Sequence, residues 1–287
     1  MTSDDISVDE NFGVRLCRAI DRRGPLCVGL DPHPSLLSDW GLSDDIAGLE
    51  AFCETVVTAV GPVVAAVKPQ SAFFERFGSK GISILESTIR QLAALGALTI
   101  LDVKRGDIGS TVAAYASAYV DAQAPLSVDA VTASPYLGVG SLRPLIDLAR
   151  RNGRGVFILA LTSNPEASAV QGARGADGRT VAEAVIDEIA QVNAGVTPIG
   201  CIGAVVGATV GHAVSGLTGM NGPVLVPGLG EQGGRPSDLL KILNGNHRAV
   251  LPSYSRQILR EGPTVAGVRA AASRAVAECA RVLDGKT

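Results

Sequence analysis

Short apolar runs alternate along this chain with longer amphipathic or polar stretches. The runs cover 26–30, 63–67, 97–101, 129–133, 156–161, 202–206, 223–226 and 248–251, giving eight candidate strands. Bounded apolar runs of this length suit strands buried on both faces, the form that parallel sheets take. Parallel neighbours need a crossover long enough for a helix, and nearly every spacer supplies one. The spacer 82–92 contains no Gly or Pro, and its Ile82, Leu85, Ile89 and Leu92 recur at helical spacing. Eight strand-then-helix units predict an α/β fold, a single-domain (β/α)8 TIM barrel over residues 1–287. The competing arrangement is a doubly wound open sheet. No GxGxxG follows the first strand, which speaks against its dinucleotide-binding form. A helix around 14–20 is expected to cover the bottom of the barrel, and 264–283 reads as the closing helix.

A barrel of this kind carries its chemistry at the C-terminal strand ends. There the sequence places Asp31 after strand one, Lys68 on strand two, Asp102 and Lys104 on strand three, and Thr162-Ser163 after strand five. Strand seven opens into a glycine loop, 227–234, and strand eight leads to Ser255-Arg256. Each has a plain structural reading. Asp31 could cap the next helix, Lys68 could be a solvated rim residue, and Asp102 with Lys104 could be a structural ion pair. The glycine loop could be a simple turn or a cradle of backbone N–H groups for an anion. Arg256 could be a surface residue or a fork of donors for a phosphate. Coincidence of so many polar residues on matching ends favours a site. Strand alternation puts Asp102 and Lys104 on one face, and Asp107 follows the strand beside Gly106, so that two carboxylates bracket one ammonium.

Composition narrows the partners. A net charge of −3 with no dense Lys/Arg block gives no reason to expect nucleic acid. Five cysteines without CxxC spacing fit reduced thiols and a cytoplasmic location. The three histidines, His33, His212 and His247, form no metal pattern. The acidic start, 1–5, lacks the features of a signal peptide. The uncharged stretch 201–220 is broken by five glycines and reads as a strand and glycine-rich segment, not a membrane span.

Taken together, the motifs resemble the orotidine 5′-phosphate decarboxylase family, in its longer bacterial branch. The carrying segments are Val28-Gly29-Leu30-Asp31-Pro32-His33, Val67-Lys68-Pro69-Gln70-Ser71-Ala72-Phe73-Phe74-Glu75, and 101–111 with its Asp102-x-Lys104-x-x-Asp107 element. Thr162-Ser163-Asn164-Pro165-Glu166-Ala167, Gln232-Gly233-Gly234 and Ser255-Arg256 continue them in the family's order. The resemblance implies a barrel that dimerises with shared active sites. It also implies cofactor-free and metal-free conversion of orotidine 5′-monophosphate to uridine 5′-monophosphate and CO2, the last step of de novo UMP synthesis. By the same resemblance Asp31 holds the ribose hydroxyls, Lys68 joins the charged network, Asp102 lies beside the substrate carboxylate, and Lys104 protonates C6. Asp107 and Thr111 reach into the partner subunit's site. Ser163 binds the pyrimidine edge, and Gln232 and Arg256 hold the phosphate with backbone groups near Gly233 and Gly234. The glycine-rich stretch 171–179 departs from the shorter family members.

Three rivals remain on the residues. A metal-dependent relative carries Glu at the end of strand two, where this chain has Lys68. A Schiff-base aldolase needs a lysine of depressed pKa, which flanking carboxylates oppose. A non-enzymic phosphate-ligand barrel leaves the Asp/Lys array unexplained.

Overall fold

The computed structural model describes residues 10–210, 214–243 and 249–285. Eight strands form the barrel: β1 (Cys27–Leu30), β2 (Ala66–Pro69), β3 (Leu98–Arg105), β4 (Ala130–Ala133), β5 (Gly155–Leu161), β6 (Ile202–Val206), β7 (Val224–Pro227) and β8 (Val250–Tyr254). Each pairs in parallel with the next, and β8 pairs with β1 to close the ring, which excludes the open sheet. β1, β2, β4, β6 and β8 are buried at every position. Both faces are covered, the inner by the opposite side of the barrel and the outer by helices, so the sequence shows continuous apolar runs and not alternation.

The observed strand ends differ from the predicted ones chiefly where polar residues enter. β3 runs to Arg105, four residues past the apolar run, because Asp102, Lys104 and Arg105 interrupt the hydrophobic signal without ending the strand. β8 likewise extends through Pro252, Ser253 and Tyr254. Arg248, in the predicted eighth strand, lies outside the described residues. The expected helix at 82–92 occurs within Gly78–Ala94 and buries Leu85, Ile89 and Leu92. Its packed face also takes Ile84 and Thr88, while Ile82 is half-buried.

The helix Phe12–Arg23 closes the bottom. Phe12 meets Phe157 edge-on at 5.8 Å, and Asn11 both caps this helix and donates to the Ile199 carbonyl at 3.1 Å. Asp129, just ahead of β4, accepts from Arg15 at 2.5 Å and Arg154 at 3.3 Å through one oxygen. Its other oxygen takes the Thr99 N–H at 2.9 Å. The clamp thus ties the N-terminal helix to the starts of three strands. The closing helix is Val265–Leu283, capped by Thr264. In 201–220 the described residues form β6, a loop and a short turn at Leu217–Gly219, with 211–213 outside the described residues. No described helix is long and apolar enough to cross a membrane.

Truncating Asp129 removes the acceptor for two guanidinium groups and a backbone amide together. Asp129→Ala is expected to lower unfolding free energy by about 2–4 kcal/mol, measured by urea titration. A midpoint matching the parent protein's would show that the clamp contributes nothing.

Candidate active site

The C-terminal strand ends surround a cavity of about 270 Å³. Asp31 enters from the β1 side, Lys68 and Gln70 from β2, Asp102 and Lys104 from β3, and Thr132 from β4. Gln232, Ser255 and Arg256 complete the lining from the loops that follow β7 and β8. Leu159, Val205 and Leu225 supply its apolar lining.

Asp102 is the centre of the polar wall. One carboxylate oxygen accepts from Lys68 Nζ at 2.7 Å and Gln70 Nε2 at 3.1 Å. The other accepts from Lys104 Nζ at 2.6 Å and Thr132 Oγ1 at 2.8 Å. Asp102 and Lys68 are buried, whereas 46% of the Lys104 side chain is exposed. Burial pushes the Asp102 carboxyl up, but the Lys68 and Lys104 ammonium groups outweigh it and hold the carboxyl well below the usual carboxylate range. Burial likewise works against the charge on Lys68, and Asp102 with Asp31 overcomes it, so Lys68 stands above its ordinary value. Cys27, beneath Lys68 in the barrel, is pushed up to about 12 by burial and adds no charge.

Asp102 and Lys104 do meet, as alternation predicts, but a plain pleat does not bring this about. Lys104 has φ of 44°, a left-handed conformation uncommon for a residue with a side chain. The β3–β4 register shifts between Leu101 and Arg105, so a bulge carries the lysine to the mouth. At the end of the bulge Gly106 passes so close to the residue following β4 that a Cβ would lie 2.4 Å from the Ser134 carbonyl oxygen.

Asp31 and Ser255 flank Gly29, where a Cβ would lie 3.1 Å from Asp31 Oδ2 and 2.8 Å from Ser255 Cβ. Asp31 Oδ1 and Ser255 Oγ are buried without a hydrogen-bond partner among the described residues, a costly arrangement unless a ligand satisfies them.

The cavity therefore gathers Asp31, Lys68, Asp102, Lys104, Gln232 and Arg256. Five other expected site residues do not line it. Ser163 lines a neighbouring cavity of about 580 Å³, and Thr162 borders both. Asp107 accepts the Ile108 N–H at 2.8 Å, and Thr111 is exposed on the first turn of the helix Gly109–Val120. Within the β7 loop, Gly233 N–H donates to the Gly230 carbonyl and Gly234 N–H to that of Gly228, both inside the turn. The stretch 171–179 is held by Arg179, which pairs with Asp177 and Asp187, and by Gln171, which bonds both N–H and hydroxyl of Thr162. Gln70, Thr132, His33 and Ser253, to which the sequence pattern assigns no role, are also in the lining. The signal for Thr132 was its place as the one polar residue in the run 130–133.

Among the described residues no group of three or more His, Cys, Asp or Glu is placed to hold a metal ion.

Comparison with known proteins bears on this site. The family model described as orotidine 5′-phosphate decarboxylase / HUMPS matches residues 24–271. An orotidine 5′-phosphate decarboxylase of Salinispora arenicola is 62% identical over 276 residues, covering 96% of this chain and 99% of the relative. That of Streptomyces coelicolor is 56% identical, covering 94% and 97%. A crystal structure from Streptomyces avermitilis, reported as a candidate member of the same enzyme class, superposes with a TM-score of 0.91 at 53% identity and covers 99% of each chain. With a closed barrel, a Lys68–Asp102–Lys104 array at its mouth and relatives matched over nearly their full length, this chain belongs to the orotidine 5′-phosphate decarboxylase / HUMPS family.

Proposed function

We propose that this chain converts orotidine 5′-monophosphate to uridine 5′-monophosphate and CO2, the closing step of de novo pyrimidine nucleotide synthesis, without a cofactor. The observation that carries the reading is one buried carboxylate held between two ammonium groups, one of them open to the cavity. Heterolysis of the bond from C6 to the carboxylate leaves its electron pair on C6 and releases CO2. The Lys104 ammonium stabilises that pair and delivers a proton to C6, then regains one from water. Asp102, kept ionised, orients Lys104 and lies beside the departing carboxylate. Lys68 neutralises Asp102 from below. The surroundings of Lys68 and of Asp102 favour the charged form of each.

The remaining roles follow the cavity's shape. Asp31 lacks a donor at Oδ1, which suits the hydroxyls of a ribose. Arg256 and the Gln232 side chain, on the loops after β8 and β7, suit the phosphate, and binding there can drive ordering of the loops. In the conformation described, the Gly233 and Gly234 amides are engaged within their turn, so their contribution requires the turn to reopen. Ser163, next to the cavity, meets the pyrimidine edge when its loop folds inward.

The functional unit we propose is a homodimer, with Asp107 and Thr111 completing the partner's site. Ile108, Tyr136 and Leu137 are 62%, 80% and 52% exposed. They sit on two loops that touch through Gly106 and Ser134. Apolar exposure of this kind marks an interaction surface, and Asp107 and Thr111 lie on the same segment. The five buried thiols suit the reducing cytoplasm as the site of reaction.

Lys104→Ala is expected to cut kcat by at least about 10³-fold while circular dichroism stays unchanged. The assay is ultraviolet loss of orotidylate by metal-stripped protein. Near-parental turnover in that variant would overturn the role of Lys104.

Sharing is tested by mixing. Lys68→Ala and Asp107→Ala chains, each inactive alone, should on co-expression give a mixture with about a quarter of parental sites, since about half of the dimers are mixed and one of the two sites in each mixed dimer is intact. Silence in the mixture would place Asp107 outside the partner's site.

The pH dependence follows from signs. A carboxyl lowered in the folded state contributes stability above its unfolded value and loses it as pH falls through the folded one. An ammonium raised in the folded state contributes below its unfolded value and loses it as pH rises through the folded one. Neither group changes charge between about pH 5 and 9, so log kcat should show no inflection there that Lys68→Arg or Asp102→Asn displaces. Such a displaced inflection would contradict the fixed-charge array.

A further inference from the structure

Leu101 pairs with Val131 and the next paired residues are Arg105 and Ala133, so β3 spends four residues where β4 spends two. The surplus holds Lys104 in its left-handed conformation, which residues with a Cβ adopt only when their surroundings impose it. The bulge is pinned at its borders by backbone bonds, Ser71 N–H to the Asp102 carbonyl and Ser134 N–H to the Arg105 carbonyl. Inside it, the Lys104 N–H is received by a side chain, Thr132 Oγ1, at 3.0 Å. Having accepted that hydrogen bond, the hydroxyl donates its own to Asp102 Oδ1 at 2.8 Å, the oxygen that Lys104 Nζ approaches at 2.6 Å. Thr132 is 1% exposed, and its branched side chain has little rotational freedom there.

We infer that Thr132 is a positioning residue for the reaction, its hydroxyl fixing both the backbone of Lys104 and the carboxylate that receives the lysine's ammonium group. This rests on the reading of Lys104 as proton donor to C6. Thr132 does not touch the reacting atoms; it acts by holding the donor where it can reach C6. Valine has nearly the same shape but neither accepts nor donates, so it releases Lys104 at one end and Asp102 at the other. Binding of the nucleotide through Asp31, Gln232 and Arg256 lies elsewhere in the cavity and is left in place.

Thr132→Val is expected to lower kcat about 10- to 100-fold while KM for orotidine 5′-monophosphate and Kd for uridine 5′-monophosphate stay within about threefold. Thr132→Ser, which keeps the hydroxyl, should recover most of kcat. A role in folding alone predicts a lowered Tm with kcat intact. Parental kcat in Thr132→Val, or equal loss in Thr132→Val and Thr132→Ser, overturns the inference. If the parental protein itself fails to turn over orotidylate, the substrate reading has failed, and a crystal structure of Thr132→Val judges the positioning role independently. Lys104 displaced from its left-handed conformation and from Asp102 supports it; Lys104 unmoved refutes it.

Discussion

The mouth of this barrel depends on keeping one carboxylate ionised where burial opposes its charge. An isolated Asp102 would take up a proton and lose its hold on both lysines. Four donors prevent this, two of them ammonium groups and two neutral. The dependence is mutual, since Lys68 keeps its own proton in a buried place because of Asp102 and Asp31. Lys68 is thereby held in the form unsuited to imine formation, which requires a free amine. The barrel makes the array possible by setting β2, β3 and β4 side by side, so that residues distant in sequence converge on one oxygen pair.

A similar constellation at the other pole does something different. Asp129 also accepts from two cations and a third donor, yet Arg15 and Arg154 are largely covered and end on the barrel's own backbone and side chains. At the mouth, nearly half of the Lys104 side chain is exposed, and the residue lines the cavity. Exposure of one member separates a centre able to meet a ligand from a structural clamp, and that distinction is invisible in the list of residue types.

Much of the fold was legible because parallel barrel strands are buried on both faces and announce themselves as apolar runs. All eight strands fall on or beside the expected runs. The runs misplace β3 and β8 where charged or polar residues continue the strand into the site. Lys68, Asp102 and Lys104 were legible from their strand-end positions. The bulge at Lys104 was not, since register is a property of two strands and no local pattern encodes it. Thr132 was missed for a related reason: it resembles an ordinary β-branched strand residue until the neighbouring strand's amide is seen to need an acceptor. Ser163, Asp107 and Thr111 do not line the cavity: they lie past the ends of β5 and β3, on segments whose course no strand-end pattern specifies.

The two surplus residues in β3 also insulate chemistry from architecture. Hydrogen-bond pairing is suspended after Leu101 and resumes at Arg105, so the intervening segment carries no part of the barrel's regular ladder with β4. Exchanges of functional groups within it need not propagate as a shift of the staves. A frame built this way could lend its rim to new reactions over evolutionary time while the cylinder below keeps its original stagger.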